Sequence, residues 1–509
     1  MIETGFNFIP LVIVAATLAT FILAGLRARL RESGEYGFGG RYIGRVGGGA
    51  AIASNWMSAA SLLGMGGLLY LQGYYALAYV IGWTGGYVLL LVLMAGQIRR
   101  FGKHTAPDFV GDRYASPTAR LISAAISITI SVIYCTAQFK GIGMLFAWLL
   151  GSDYRNGVIV GGCVAVGYVV ISGVLGVARN QQLQYTVLIV SFILPIMVLA
   201  YRLGYFWLLP QFGYGVAIQD LAREFNVNFT APFASGTLFQ WVALCFTLMV
   251  GTAGLPHVLS RFYVVPNIRD ARWSVVWGLF FIALIYWSAP AYAVFARLLE
   301  ARAGMVPPPA AAANMADIVV IKAAVLGGLP PWLVGILVAG ATSAAFFTVA
   351  GLLITGAASL SHDIYYRLIN PRASETAKML LAKVAVVVLG GVVLLIALEP
   401  PGLIAEITAV AFALAGNTIF PAFLLGIWWG RANRHGAIAG MLTGSVITFA
   451  TPLFGSFVPA VATVFPLTSS ALCGAPLVIA VMIVVSLLTP PPPEEVRRLL
   501  AEQVHGQMD

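Results

Sequence analysis

The sequence predicts an all-α membrane protein of about thirteen transmembrane helices. Of 509 residues, 60% are hydrophobic and only 9% charged. Apolar runs long enough to cross a bilayer recur along the chain, and Lys and Arg collect in alternate loops. A soluble domain carries roughly 25% charged residues because its surface faces water. That surface is missing here over most of the length, so lipid must be the solvent. A β-barrel would show alternating segments of about ten residues, whereas these runs are unbroken.

The runs fall at 7–26, 47–73, 76–98, 119–150, 156–178, 183–208, 236–258, 271–298, 331–361, 377–398, 402–429, 435–454 and 470–489, each able to cross about 30 Å of hydrocarbon. They are numbered spans 1 to 13. The loop after span 1 carries Arg27, Arg29, Arg31, Arg41 and Arg45, and that after span 3 carries Arg99, Arg100, Lys103 and Arg113. Arginines recur after spans 5, 7, 9 and 11, while the loops at 74–75, 399–401 and 455–469 contain no Lys or Arg. This alternation predicts an outer N-terminus and a cytoplasmic C-terminus in a plasma membrane, the bacterial inner membrane.

Span 1 lacks the positive leader of a signal peptide, since its arginines follow the apolar run. The net charge of +10 lies in these short loops and in no basic domain, which argues against nucleic acid as a partner. Cys135, Cys163, Cys245 and Cys473 lie inside apolar segments without metal-site spacing, and the five histidines are scattered. No cofactor and no catalytic residues are expected, and the chain is not read as an enzyme. A membrane acyltransferase would need a convergent nucleophile and base, which the dispersed histidines do not supply.

An unbroken helix satisfies its own backbone, so carriers expose main-chain groups by interrupting helices within the bilayer. Two spans carry the composition for such a break. Span 2 reads Gly47-Gly48-Gly49-Ala50-Ala51-Ile52-Ala53-Ser54-Asn55-Trp56-Met57-Ser58-Ala59-Ala60-Ser61, followed by Gly64, Gly66 and Gly67. Span 7 contains Gly251-Thr252-Ala253-Gly254-Leu255-Pro256-His257, whose proline removes a donor. With span 1 set aside, these spans open two sets of five helices, and an odd number makes the sets run in opposite directions. Residues 47–208 form the first repeat and 236–429 the second; 1–46 hold the outer helix and inner loop, and 430–509 the flanking helices and tail. Paired interruptions at matching positions point to the binding site of a small solute. The lining expected there is Asn55, Trp56, Ser58, Gly251, Thr252, Gly254 and Pro256, with Gln138 and Lys140 from span 4. Lys140 sits ten residues from the outer end of span 4 at Leu150, deep enough to seek a cavity or a partner. Glu406 reads as an interfacial carboxylate, and His362 and Asp363 as helix-end contacts.

These segments, with Thr105-Ala106-Pro107-Asp108-Phe109 and Arg113, Ala350-Gly351-Leu352-Leu353 leading to Ser361-His362-Asp363, and Phe420-Pro421, resemble the sodium:solute symporter family, particularly its acetate/monocarboxylate permease branch. The resemblance implies the leucine-transporter architecture and symport of a small organic solute, a monocarboxylate such as acetate, with sodium or a proton as coupling ion. It also implies a sodium ion held by the carbonyls of Ser54, Met57 and Ala344 and by a hydroxyl pair at positions 347 and 348. Only Thr348 offers a hydroxyl, because Phe347 has no oxygen, and Asn55 stands where acetate permeases usually carry Asp. Both departures weaken the cation site; Thr342 or Ser343, one turn earlier, are the alternative donors. A transporter-derived sensor with a degraded ion site is the competing expectation.

Overall fold

The computed structural model describes residues 5–31, 45–102, 105–260, 268–305, 312–313, 315–457 and 466–505. Among these, ten helices are long and apolar enough to cross a membrane, and Leu238–Gly254 is a shorter apolar helix. The chain forms α1 (Phe8–Arg31), α2 (Arg45–Trp56), a π-turn at Ala60–Gly64, α3 (Met65–Gln72), α4 (Leu77–Leu93), α5 (Ala95–Phe101), α6 (Ala106–Arg113) and α7 (Pro117–Leu150). Next come α8 (Tyr154–Arg202), α9 (Pro210–Phe225), α10 (Leu238–Gly254), α11 (Pro256–Leu259) and α12 (Ile268–Arg302). The remainder is α13 (Val319–Leu326), α14 (Pro331–Ala358) continuing as a π-helix Ser359–Ile369, α15 (Glu375–Ala397), α16 (Ile404–Asn417), α17 (Ile419–Trp428), α18 (Arg434–Phe457), α19 (Ala471–Leu488) and α20 (Glu494–Leu499).

All thirteen expected spans fall on helical segments. Spans 5 and 6 are the two halves of α8, Tyr154–Gly173 and Leu183–Arg202, and Gly173 turns the backbone with φ 61°, a conformation only glycine adopts freely. At the centre α14 packs on α7 and α8, while α12 packs on α2, and α10 on α4 and α16. A glycine lies in each contact, Gly340 against Ser191, Gly356 against Ser131, Gly49 against Trp277, Gly82 against Leu248 and Gly251 against Phe412, so the helices approach closely and dispersion replaces the absent hydrophobic drive.

Spans 2 and 7 are both interrupted. Span 11 is interrupted as well, at Thr418 (φ −123°, ψ −69°) between α16 and α17. Pro421 explains it: a proline has no N–H to bond the carbonyl four residues back, here Asn417. The Asn417 side chain donates to Thr448 Oγ1 at 2.9 Å and Ser470 Oγ at 3.1 Å, pinning the break to α18 and to the start of α19. Pro195, Pro290 and Pro476 lie inside continuous helices, so proline alone does not decide where a span breaks.

Candidate substrate and cation site

In span 2 the first half ends with Met57 N–H donating to Ala53 O at 2.8 Å, after which Met57 and Ser58 leave the helix. The Ala59 N–H, left without a helical acceptor, donates to Gln138 Oε1 of α7 at 2.9 Å. Ser61 N–H bonds Ser58 Oγ at 3.3 Å, and Ser61 Oγ reaches back to Trp56 O at 3.4 Å. Trp56 Nε1 donates to Tyr286 Oη at 3.0 Å, and the same phenol meets Ser61 Oγ at 3.1 Å. Backbone freed inside a membrane protein must find such partners, because lipid offers none.

In span 7, α10 ends at Gly254 and Leu255 turns extended (φ −68°, ψ 120°) before Pro256 opens α11. A proline forces its predecessor out of the helical region, so Pro256 sets the break. The other expected lining residues of this span have different neighbours. A Cβ on Gly251 would lie 2.4 Å from Phe412 O, and one on Gly254 2.5 Å from Ala415 O; both glycines let α10 press against the α16 backbone. Thr252 donates to Leu248 O at 2.7 Å and packs on Gly86 of α4. These three positions are helix contacts in this conformation.

Tyr134 of α7 joins the two breaks. Its phenol lies 3.4 Å from Ser58 Oγ, and its ring centroid 5.6 Å edge-on from that of His257. Around it Trp56, Trp83, Tyr87 and Phe412 form an aromatic enclosure, with Trp56 and Tyr87 centroids 4.7 Å apart and Trp83 stacked on Tyr286 at 6.0 Å. Two buried donors in this region, Trp83 Nε1 and Gln138 Nε2, have no protein acceptor. A buried donor without a partner is costly and therefore informative. Trp83 escaped the sequence reading because an indole on a span looks like packing.

For the cation, Ser54, Met57, Ala344 and Thr348 are all buried, and α14 packs against α2 and the π-turn. Thr348 Oγ1 donates to Ala344 O at 3.1 Å, so two of the four expected oxygens are adjacent. Ser343 is occupied with Ala339 O at 2.6 Å, whereas Thr342 Oγ1 and Ser54 Oγ are buried without partners. These are hard oxygens of the type a hard cation prefers. Phe347, 1% exposed, fills the neighbouring position with hydrocarbon. Asn55 lies in the last turn of α2, and its side chain is outside the described residues.

Lys140 does not offer a free charge to the breaks. Its Nζ lies 2.6 Å from Asp317 Oδ2 and 2.8 Å from Gly402 O, while Asp317 accepts from Ile404 N–H at 3.2 Å. A lysine this deep finds a carboxylate, and neither periodicity nor spacing singles out Asp317, 177 residues away. Five residues on, Lys322 pairs with Glu300 of α12, which also accepts from Tyr70 of α3 at 2.5 Å. The segment Ala316–Leu326 is thus clamped on one side to α7 and α16 and on the other to α3 and α12. Glu406 accepts from Leu403 N–H at 3.2 Å and caps α16.

Interrupted helices whose freed main chain meets polar and aromatic side chains define a carrier of the inverted-repeat transporter class. The chain belongs to the sodium:solute symporter family, which it matches over residues 36–444. It is 30% identical over 498 residues to a monocarboxylic acid transporter of Corynebacterium glutamicum, covering 91% of this chain and 89% of that one. It is 32% identical over 448 residues to an uncharacterized symporter, YwcA, of Bacillus subtilis (86% and 83%). An uncharacterized symporter of Cupriavidus necator is 29% identical over 567 residues (84% and 82%). Among solved structures, a Na+-coupled sialic acid symporter superposes with a TM-score of 0.76 at 16% identity, covering 97% of this chain and 100% of that chain. Mhp1, a nucleobase-cation-symport-1 family transporter, gives 0.53 at 12% identity, covering 89% and 96%. The fold is therefore that of cation-coupled symporters.

Proposed function

We propose that this protein carries a small monocarboxylate, such as acetate, across the membrane by sodium-coupled symport with alternating access. The observation that carries the reading is the pair of orphaned buried donors, Trp83 Nε1 and Gln138 Nε2, beside the break in span 2. A carboxylate supplies acceptors and no donors at neutral pH, which complements such a pair. The resemblance to a protein named a monocarboxylic acid transporter points the same way. Sodium sits with Ser54, Met57, Ala344 and Thr348, and Thr342 Oγ1 is the additional donor. The repeats run 47–208 and 236–429, with the N-terminus outside and the C-terminus in the cytoplasm.

Phe347 favours a second reading, in which sodium is held weakly and a proton drives uptake or coupling is lost, as in a transporter-derived sensor. Uptake of labelled acetate, pyruvate, proline and glucose into proteoliposomes, under separately imposed sodium and proton gradients, distinguishes these. Carboxylate uptake driven by sodium supports the first reading and proton-driven uptake the second, while the absence of carboxylate uptake removes both transport readings and leaves the sensor.

A further inference from the structure

Between α8 and α10 the chain makes a detour along α12, and the residues it meets there measure its depth. Tyr205, just past the end of α8, stacks on Phe295 with ring centroids 5.6 Å apart. Further on, Gln211 Nε2 donates to Ser288 Oγ at 2.7 Å, and the Phe212 ring meets that of Trp287 edge-on at 5.2 Å. From Phe295 to Ser288 is about 10 Å along α12, at a rise of about 1.5 Å per residue. The chain then climbs back along α9. Tyr205 Oη donates to Asp220 Oδ2 at 2.7 Å, and Arg302 Nη2 donates to the same phenol at 3.4 Å. Residues 205–220 thus go down beside α12 and return to the level at which they started.

Local chemistry closes this detour into a wedge. Pro210 opens α9 at the tip and has no N–H to leave without a partner. Phe212 N–H bonds Leu209 O at 2.9 Å. Gly213 seats the two limbs against each other, since a Cβ there would lie 2.6 Å from Phe206 O. One side of the wedge packs on α12, with Gln211, Ala217 and Leu221 buried. The other side is apolar: Phe206, Trp207, Leu208, Leu209, Phe212 and Val216 are 46–56% exposed. Proteins rarely present such a contiguous patch to water. It runs on from a lipid-facing stripe of α12, where Val276, Phe280 and Trp287 recur at helical spacing and are all exposed. Past Val216 the exposed positions of α9 turn polar, with Gln219, Arg223 and Glu224.

We propose that residues 206–216 form a membrane wedge that enters the boundary between headgroups and acyl chains of one leaflet, with lipid chains covering its apolar side, while α9 from Gln219 onward stands in water. The depth read along α12 agrees with the roughly 5–10 Å to which an amphipathic helix sinks at a bilayer surface. Trp and Tyr favour that level, where an apolar ring and a polar tip are both accommodated. Tyr201, the last tyrosine of α8, lies 6.4 Å from Trp207 between ring centroids and extends the aromatic belt on this side of the molecule.

Fluorescence quenching of the purified full chain in phosphatidylcholine vesicles reads the wedge independently of transport. The chain has 11 tryptophans, so the emission of Trp207 is taken as the difference between the parent and Trp207→Phe. One quencher is lipid brominated near the carbonyl end of its chains; the other is iodide, present on both sides of the membrane. Gln219→Trp adds a reporter beyond the boundary, and Leu208→Trp reports on the patch by gain of emission should Trp207→Phe fold poorly. The expected result is that Trp207 emission is lost to brominated lipid and untouched by iodide, whereas the emission gained in Gln219→Trp shows the reverse. Quenching of Trp207 by iodide overturns the wedge. So does quenching of the Gln219→Trp emission by brominated lipid, since all of α9 would then lie in the leaflet. A patch that neither quencher reaches also overturns it, because a second copy of the chain would then be the cover.

Discussion

Lys140 Nζ lies 2.6 Å from Asp317 Oδ2, and this buried pair ties the last third of α7 to a segment that is also clamped, through Lys322 and Glu300, to α12 and α3. The segment therefore bridges two groups of helices. Removing one member of a buried pair leaves a bare charge, at a cost of about 3–5 kcal/mol. Lys140→Met and Asp317→Asn should each lower the melting temperature of the purified protein. The double variant should lose less than the sum of the two, because it strands neither charge. Carboxylate affinity should be little changed in Lys140→Met, since its charge is already matched; a large affinity loss with no change in stability would return Lys140 to the substrate.

Gly67 seats this same segment. A Cβ there would stand 2.6 Å from Ala316 O and 2.7 Å from its carbonyl carbon, backbone atoms that cannot rotate away. Gly67→Ala should destabilise by about 1–3 kcal/mol, as overpacking does. Gly391→Ala, with nothing within 4 Å of its Cβ, should be neutral or stabilising by up to ~1 kcal/mol. Thermal unfolding of the two variants side by side checks this ordering.

Trp83→Phe keeps one aromatic ring and removes the orphaned N–H together with the rest of the indole. The lost packing should lower the melting temperature moderately, while carboxylate KM should rise about five- to tenfold for one hydrogen bond of ~1–1.5 kcal/mol. Unchanged KM for every carboxylate tested would make the indole a packing residue.

Phe347→Ser restores a hydroxyl beside Thr348. Truncating a buried phenylalanine costs about 3–5 kcal/mol in similar cores, so a lower melting temperature is expected. Despite it, half-maximal uptake should need less sodium than in the parent. An unchanged sodium requirement would mean that position 347 does not face the ion and that Thr342 supplies the second hydroxyl.

The broken spans were legible because their causes are local: Pro256 removes a donor and redirects Leu255, and the Gly/Ser run after Trp56 favours no continuous helix. The third break was not, because Pro421 resembles the prolines that α8, α12 and α19 absorb, and only the Asn417 contacts with Thr448 and Ser470 distinguish it. Gly251 and Gly254 read as lining because glycine serves both cavity and contact; their approach to Phe412 and Ala415 is a tertiary fact. The partner of Lys140 lies 177 residues away, beyond any periodicity. Trp83 and Gln138 acquire meaning only once their neighbours fail to satisfy them.

Sodium and the carboxylate are both assigned to the interruption of span 2, so each should favour the other. Equilibrium binding of labelled acetate to the purified protein, measured with and without sodium at constant ionic strength, tests this most directly. Sodium should tighten acetate binding, and acetate should tighten sodium binding by the same factor, as linkage requires. Acetate that binds equally well in both conditions, or does not bind at all, would contradict the account.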